Sequence, residues 1–338
     1  MSLAGLSLRD LEYVLAVAEL RHFGRAAEAC GVSQSALSMQ IKKIEDLLSI
    51  SIFERTNKRV LVTSKGGVVV RQAGVIVAEA RRLLDLARSR DEPLSGQFRL
   101  GAIATLGPYL FPHVLRGLRR RFPRLQLILK EARTRELLAD LLGGRLDAAL
   151  VSPPIDLADI VLEPIFFEPF IVIASQSHPL AAAKAVTADA LPRDGVVLLE
   201  EGHCLRDQTL SVCAGAEQRP GTLQATSLET LKHMVALGNG FSLLPALAAQ
   251  DVQALRGLVS LTRFAGRAPG RIIGLAWRAS VAQDRDHRVL ADALRVAVPP
   301  AVEPIAVKAR PGSARAARVR VSSRRPEQVT GPRGGAGR

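Results

Sequence analysis

Cysteine is scarce in this chain: Cys30, Cys204 and Cys213 are the only three in 338 residues. Three scattered thiols exclude a disulfide framework of the kind that staples small secreted domains. Clean long apolar runs are missing as well. The uncharged run 233–250 is long enough to span a bilayer, but His233, Asn239, Ser242, Pro245 and Gln250 interrupt it, so no membrane span is expected. The opening MSLAGLSLRDLEY has no basic stretch followed by an apolar one. The expectation is no secretory leader and a reducing, cytoplasmic setting. Charged residues are only 23% of the chain and hydrophobic ones 48%. Bulk disorder is thereby excluded, and a real core in two or three folding units is expected.

Charge of one sign is present in excess, but unevenly. The formal net charge is +14, and residues 301–338 hold nine Lys/Arg against two Asp/Glu, or +7. Residues 1–92 hold fourteen against eleven, only +3. A basic chain points to a polyanionic partner. Here half the excess sits in a tail, 305–338, whose Arg, Gly, Ser and Pro richness predicts disorder. Net charge is therefore weak evidence for a nucleic-acid partner, and the motif must carry the argument.

In LRDLEYVLAVAEL (8–20), Leu8, Leu11, Leu15 and Ala18 share one helical face. Two short helices follow at 23–30 and 34–46. ISIFERTNKRVLV (50–62) reads as two short strands around a polar, basic turn. Thr63 is placed to cap a long helix over 64–90, whose apolar positions include Val69, Ala73, Ile76, Val77, Leu83 and Leu84. Such a stripe must be covered, so this helix is expected to dimerise the chain. DEPLSG (91–96) reads as a linker. Beyond it, strands at 98–103, 125–132, 146–151, 167–175, 195–200 and 271–278 mix with helices at 113–123, 134–145, 226–240 and 281–297. That alternation predicts an α/β domain with parallel strands.

The run HFGRAAEACGVSQSALSMQIKKIEDLLSISIFER (22–55) has the features of a helix-turn-helix. Ala26, Ala27 and Cys30 allow close packing, Gly31 permits a turn with positive φ, and Val32 plugs the angle between helices. Ser33 suits the cap of the second helix. Gln34, Ser35 and Ser38 begin its exposed side, where short polar side chains suit base edges and nearby phosphates. Gln34 can pair with adenine in the major groove. Lys42, Arg55, Lys58 and Arg59 suit phosphate contact, the last two from the turn between the strands. The plain alternative is a helical pair with no DNA partner. It explains the alanine spacing but not the polar helix start and the basic turn together.

Cys204 and Cys213 lie nine residues apart in EEGHCLRDQTLSVC (200–213), a stretch that reads as part of a loop over 200–215. His203, Arg206, Asp207 and Gln208 surround the first, and a nearby cation would favour its thiolate. Cys213, between Val212 and Ala214, also fits a small buried hydrophobe. A metal site from His203, Cys204, Cys213 and His233 is a further reading. The adjacent His203 and Cys204 make it awkward for one tetrahedral centre.

Residues 8–66 resemble the DNA-binding domain of LysR-type transcriptional regulators. The resemblance runs over about 6–300 and does not include the basic tail. It implies a winged helix-turn-helix (6–63), a linker and dimerisation helix (64–92), and a periplasmic-binding-protein-like α/β effector domain of two subdomains (96–300). RDLEY (9–13), TLGPYLFPHVL (105–115), LEEGHC (199–204) and ATSLETLKHMVALGNGFSLLPALA (225–248) are similar to the branch of that family that senses hydrogen peroxide. This likeness implies that Cys204 is the peroxidatic and Cys213 the resolving cysteine of a reversible disulfide. It also implies that Thr105 and Thr134 help hold peroxide or ordered water, with His203, Arg206 and Asp207 as the charged surround. One departure is Ser35, where that branch usually has proline. The implied partners are double-stranded operator DNA, hydrogen peroxide, RNA polymerase, a thioredoxin- or glutaredoxin-type reductant and further copies of the chain as dimer or tetramer. No cofactor, no metal and no enzymatic turnover are expected. The alternatives are a regulator of the same family gated by a small metabolite in the effector cleft, with incidental cysteines, and a cysteine-dependent enzyme such as a thiol peroxidase.

Overall fold

The computed structural model describes residues 5–55, 60–88, 92–155, 157–213, 224–281 and 285–305. The N-terminal unit comprises helices α1 (Leu8–Leu20), α2 (Phe23–Ala29) and α3 (Gln34–Leu48), then a hairpin of β1 (Phe53–Arg55) and β2 (Val60–Val62). Ser7 opens α1 with a reciprocal capping box to Asp10. Gly31 turns the chain from α2 to α3 with φ +66°. The core is Val14, Val17, Ala26, Ala27, Leu37, Ile41, Ile44 and Ile52, all essentially inaccessible to solvent. Phe23 meets Phe53 edge-on at 6.2 Å, which ties the helices to the hairpin. A link the sequence reading missed is Glu45. Its Oε1 accepts from the backbone N–H of Ile52 (2.7 Å) and Phe53 (3.0 Å), fixing where the hairpin leaves α3.

Thr63 caps the long helix α4 (Ser64–Arg88) as expected: its hydroxyl accepts from Gly66 N (2.8 Å) and donates to Ser51 O (2.7 Å). The apolar stripe of α4 divides. Ala73 and Val77 are buried against Leu11 of α1. Ile76, Leu83 and Leu84 are 39%, 67% and 57% exposed.

The larger unit contains β3 (Gly96–Ile103), α5 (Gly107–Arg121), β4 (Leu125–Ala132), α6 (Thr134–Leu142), β5 (Ala148–Val151), β6 (Ile160–Ser175), β7 (Ala185–Val186), β8 (Leu198–Leu199), α7 (Cys204–Val212), β9 (Gln224–Ala225), α8 (Leu228–Ala236), β10 (Phe241–Pro245), α9 (Ala246–Ala249), β11 (Val259–Phe264), β12 (Gly270–Arg278), α10 (Arg285–Ala297) and β13 (Glu303–Pro304). The main sheet runs β4-β3-β5-β12-β6-β11-β7, with β10 and β13 also on β6. β6 is the spine. Its first part pairs with β12, and its end pairs with β10 and β11, so it passes from one half of the domain to the other. The end of α6 lies against α4: a side chain at Gly74 would run into the Gly143 carbonyl.

Three expectations are corrected. The strands are not all parallel: β3 pairs in parallel with β4 and β5, but β12, β10 and β11 run antiparallel to β6. α5 begins at Gly107 rather than 113, because Pro108 occupies its first turn and Pro112 is accommodated inside. The stretch after His203 is a helix, α7, rather than a loop. No helix among the described residues is long and apolar enough to cross a membrane. The basic tail lies outside the described residues.

Candidate functional site

The first face to consider is that of α3. Ser33 caps the helix by accepting from Ala36 N (3.2 Å), and its hydroxyl lies 3.1 Å from that of Ser35. Leu37, Ile41 and Ile44 are buried, which leaves Gln34, Ser35 and Lys42 exposed and Ser38 partly so on the opposite side. The Gln34 side chain stands over Gly24, its Oε1 3.2 Å from where a β-carbon at 24 would be. The structure thus gathers Ser33, Gln34, Ser35, Ser38 and Lys42 on one helix surface. Met39, 69% exposed on the same surface, was not singled out from sequence. The backbone of Arg55 lies in β1, but its side chain, Lys58 and Arg59 fall outside the described residues.

The second site is built on α7. Cys204 is the first residue of that helix, and Cys213 is its C-terminal cap, with its N–H donating to Thr209 O (2.9 Å). Nine residues at the helical rise separate the two cysteines by about 13 Å. No side-chain hydrogen bond caps the start of α7. The helix is held instead by Leu205 in the core and by the buried Arg206, whose Nη1 donates to Leu199 O (2.7 Å). Arg133, at the start of α6, clamps the approach to α7 through an ion pair with Glu200 and a bond to Glu201 O (3.3 Å).

Around the Cys204 sulfur, burial pushes the thiol above its ordinary range. The positive charge of Arg271, the Thr134 hydroxyl and the N–H groups of Cys204 and Leu205 act in the opposite direction without outweighing burial. The resting sulfur is therefore a protonated thiol with anion-favouring groups already aimed at it. The cation is not the one the sequence suggested. Arg206 is spent on Leu199 O. Burial, aided by Arg133, lowers the pKa of His203, so the ring stays neutral at pH 7. Arg271 is fixed by a fully buried ion pair with Glu168 (2.9 Å). It also donates to Thr105 Oγ1 (2.8 Å) and Thr105 O (2.9 Å). Thr105 thus joins the site through Arg271. Cys213 has no such company, and burial alone pushes its thiol up to about 11.

Thr134, His203, Cys204, Asp207 and Gln208 all line one cavity of about 770 Å³. Three buried polar atoms there, Thr134 Oγ1, His203 Nε2 and Gln208 Oε1, have no nitrogen or oxygen partner. Gln208 Nε2 is fixed on Ser152 Oγ (2.9 Å), while Asp207 is exposed at the rim. Such atoms suit a small ligand that both donates and accepts hydrogen bonds. Among the described residues no three His, Cys, Asp or Glu side chains are grouped to hold a metal, and His233 is exposed on α8.

Family models match both units: a bacterial regulatory helix-turn-helix protein of the lysR family over residues 8–67, and a LysR substrate binding domain over 91–298. The chain is 41% identical over 292 residues to the DNA-binding transcriptional dual regulator OxyR of Escherichia coli, covering 86% of this chain and 95% of that protein. Among solved structures it is similar to a cysteine-to-aspartate variant of full-length OxyR from Pseudomonas aeruginosa. The TM-score is 0.72 and the identity 38%, over 86% of this chain and 98% of that one. A hydrogen-peroxide-bound cysteine-to-serine variant of Corynebacterium glutamicum OxyR matches with TM-score 0.59 and 29% identity, over 86% and 94%. With a reading helix, a thiol-bearing cavity and relatives that span nearly its whole folded length, this chain belongs to the LysR family of bacterial transcription regulators.

Proposed function

We propose that the chain is a DNA-binding regulator that senses hydrogen peroxide through a reversible Cys204–Cys213 disulfide. The observation that carries this reading is the cavity at Cys204, where a thiol, the Thr134 hydroxyl bonded to it and two unpartnered polar atoms, His203 Nε2 and Gln208 Oε1, belong to the lining residues. The extended similarity to OxyR proteins supports it. The Cys204 sulfur attacks one peroxide oxygen; the S–O bond forms, the O–O bond breaks, and the other oxygen leaves as water after taking up a proton. Thr134 and His203 hold the peroxide, and Arg271, positioned by Glu168 and Thr105, favours the developing thiolate. Arg206 and Asp207 set the start of α7. The Cys213 thiol, losing its proton, then attacks the sulfenic acid; the S–S bond forms and water leaves.

Bridged Cα atoms must lie within about 7 Å. The two ends of α7 are farther apart than that, so the helix unwinds for the bond to close. Its short length and missing side-chain cap favour this. Unwinding shifts the packing of effector domains in a dimer or tetramer held together through Ile76, Leu83 and Leu84 of α4. That respaces paired α3 helices on operator DNA and alters contact with RNA polymerase. Ser33, Gln34, Ser35 and Ser38 meet bases and nearby phosphates, and Lys42, Arg55, Lys58 and Arg59 meet the backbone. A thioredoxin- or glutaredoxin-type dithiol in the cytoplasm resets the switch. One oxidation per reduction is sensing rather than enzymatic turnover.

The test is a footprint on the operator beside the chain's own gene. Peroxide is expected to change the protected length for the wild type and to leave it unchanged for Cys204→Ser. A change retained by Cys204→Ser contradicts the assignment.

A further inference from the structure

α3 buries Leu37, Ile41 and Ile44 and turns the opposite line of side chains outward: Ser35, Met39, Lys42 and Asp46, at i, i+4, i+7 and i+11. Three of these four are polar. Met39 is the exception, and it is the one large apolar side chain of α3 left exposed, at 69%. It stands four residues after Ser35 and three before Lys42, and all three line one surface groove. Beyond that point the charge along the line changes sign. Lys42 suits a phosphate, whereas the exposed Asp46 is repelled by one, so the part of α3 that follows DNA ends near Lys42. Met39 therefore lies inside the DNA-facing segment. Five residues separate it from Gln34, about 7.5 Å along the helix or about two base-pair steps. Both side chains are thus placed over the same short stretch of groove.

We infer that Met39 selects thymine, by packing its thioether side chain on the C5-methyl group of one thymine in the major groove. A methionine side chain has no donor and only a weak acceptor, so it does not read the hydrogen-bonding pattern of a base edge. The thymine methyl is the one apolar group that unmodified base pairs present in that groove. Contact between the two removes apolar surface of both from water. Any other base edge in its place puts a polar group against the methionine without a partner. An unbranched chain with three rotatable bonds follows the methyl without demanding a single angle of approach. The inference rests on the reading of α3 as the base-contacting helix, and adds to it a specificity determinant that makes no hydrogen bond.

The experiment takes the duplex that the reduced full chain enriches from a random pool, replaces its thymines one at a time by deoxyuridine, and measures the affinity for each. Deoxyuridine lacks the methyl and keeps every hydrogen-bonding group. At one thymine in each half of the site, the replacement is expected to weaken wild type and Met39→Leu roughly three- to tenfold. The same replacement should change the affinity of Met39→Ala and Met39→Gln by less than about twofold, since neither offers an apolar end to the methyl. Met39 is exposed, so all three variants should unfold at the same denaturant concentration as wild type. Lys42→Ala should instead weaken binding to the thymine and deoxyuridine duplexes alike. A duplex in which no deoxyuridine weakens wild type overturns the inference. So does one in which every sensitive thymine stays as sensitive in Met39→Ala and Met39→Gln. In both cases a change in the enriched sequence on Gln34→Ala keeps the reading of α3 standing. A chain that enriches no common sequence overturns both.

Discussion

Helices α3 and α7 both begin at proposed functional residues, Gln34 and Cys204, and they are held in opposite ways. α3 has fifteen residues, a Ser33 cap and three buried aliphatic anchors. α7 has nine residues and no side-chain cap, and the Oε1 of its own Gln208 is unpartnered. Isolated helices shorter than about 12 residues are marginal, so α7 exists by its tertiary contacts. The difference matches two tasks. A surface that reads DNA must present side chains in one fixed arrangement. An element that reports a chemical event needs a second arrangement not far away in free energy.

That contrast can be broken from either side. The largest expected effect comes from the support behind Cys204. Glu168→Ala leaves the Arg271 guanidinium buried and unpaired, and removes an acceptor for Leu247 N. Losing one partner of a buried ion pair costs about 3–5 kcal/mol. Chemical denaturation should show that loss, while the separate core around α3 keeps its local protection from hydrogen exchange. An unchanged unfolding free energy would show the pair to be dispensable.

A smaller effect concerns Cys213, whose thiol moves from an ordinary 9.0 up to about 11 on folding. A raised pKa means that the fold favours the protonated thiol. This contribution is complete below the ordinary value and is lost as pH rises from about 9 to about 11. It amounts to something on the order of 2 kcal/mol. Wild type should lose stability over this window more steeply than Cys213→Ala. Parallel pH profiles for the two would contradict it.

The smallest effect is at the reading helix. Ser33→Ala removes the bond to Ala36 N and should cost about 1 kcal/mol. Hydrogen exchange should quicken in the first turn of α3 and nowhere in α7. Faster exchange in α7 would mean that the two helices are not independent.

The same contrast explains what was legible in the sequence. The α3 site is local. A cap, a buried stripe and an exposed polar start lie within a few turns of one helix, so Ser33, Gln34, Ser35, Ser38 and Lys42 could be read together. The Cys204 site is assembled across the sheet. Glu168 comes from β6, Arg271 from β12 and Thr105 from the turn before α5. One signal was available: Glu168 is the one charge in FEPFIVIAS and Arg271 one of two, with Arg278, in RIIGLAWR, and a charge in so apolar a strand needs a partner. Arg206 and His203 are the cations nearest Cys204 in sequence, but topology decides which charge meets the sulfur. The antiparallel half of the sheet was hidden for a related reason. β6 is sixteen residues long, and the expected strand at 167–175 covers only its part beyond Pro164. The register shifts at that point, opposite Ile273 and Gly274, which is where a strand tolerates proline.

The central claim is that Cys204 reacts first and Cys213 resolves it, with α7 unwinding between the two events. It is tested most directly by titrating the reduced full chain with hydrogen peroxide and mapping the products by non-reducing peptide mass analysis. The account predicts a Cys204–Cys213 link in wild type and in Cys30→Ser. It predicts sulfenic acid on Cys204 that over-oxidises with excess peroxide in Cys213→Ser, and no fast-reacting thiol in Cys204→Ser. Links that run only through Cys30, or a Cys204→Ser chain whose Cys213 oxidises as fast as wild type, would contradict it.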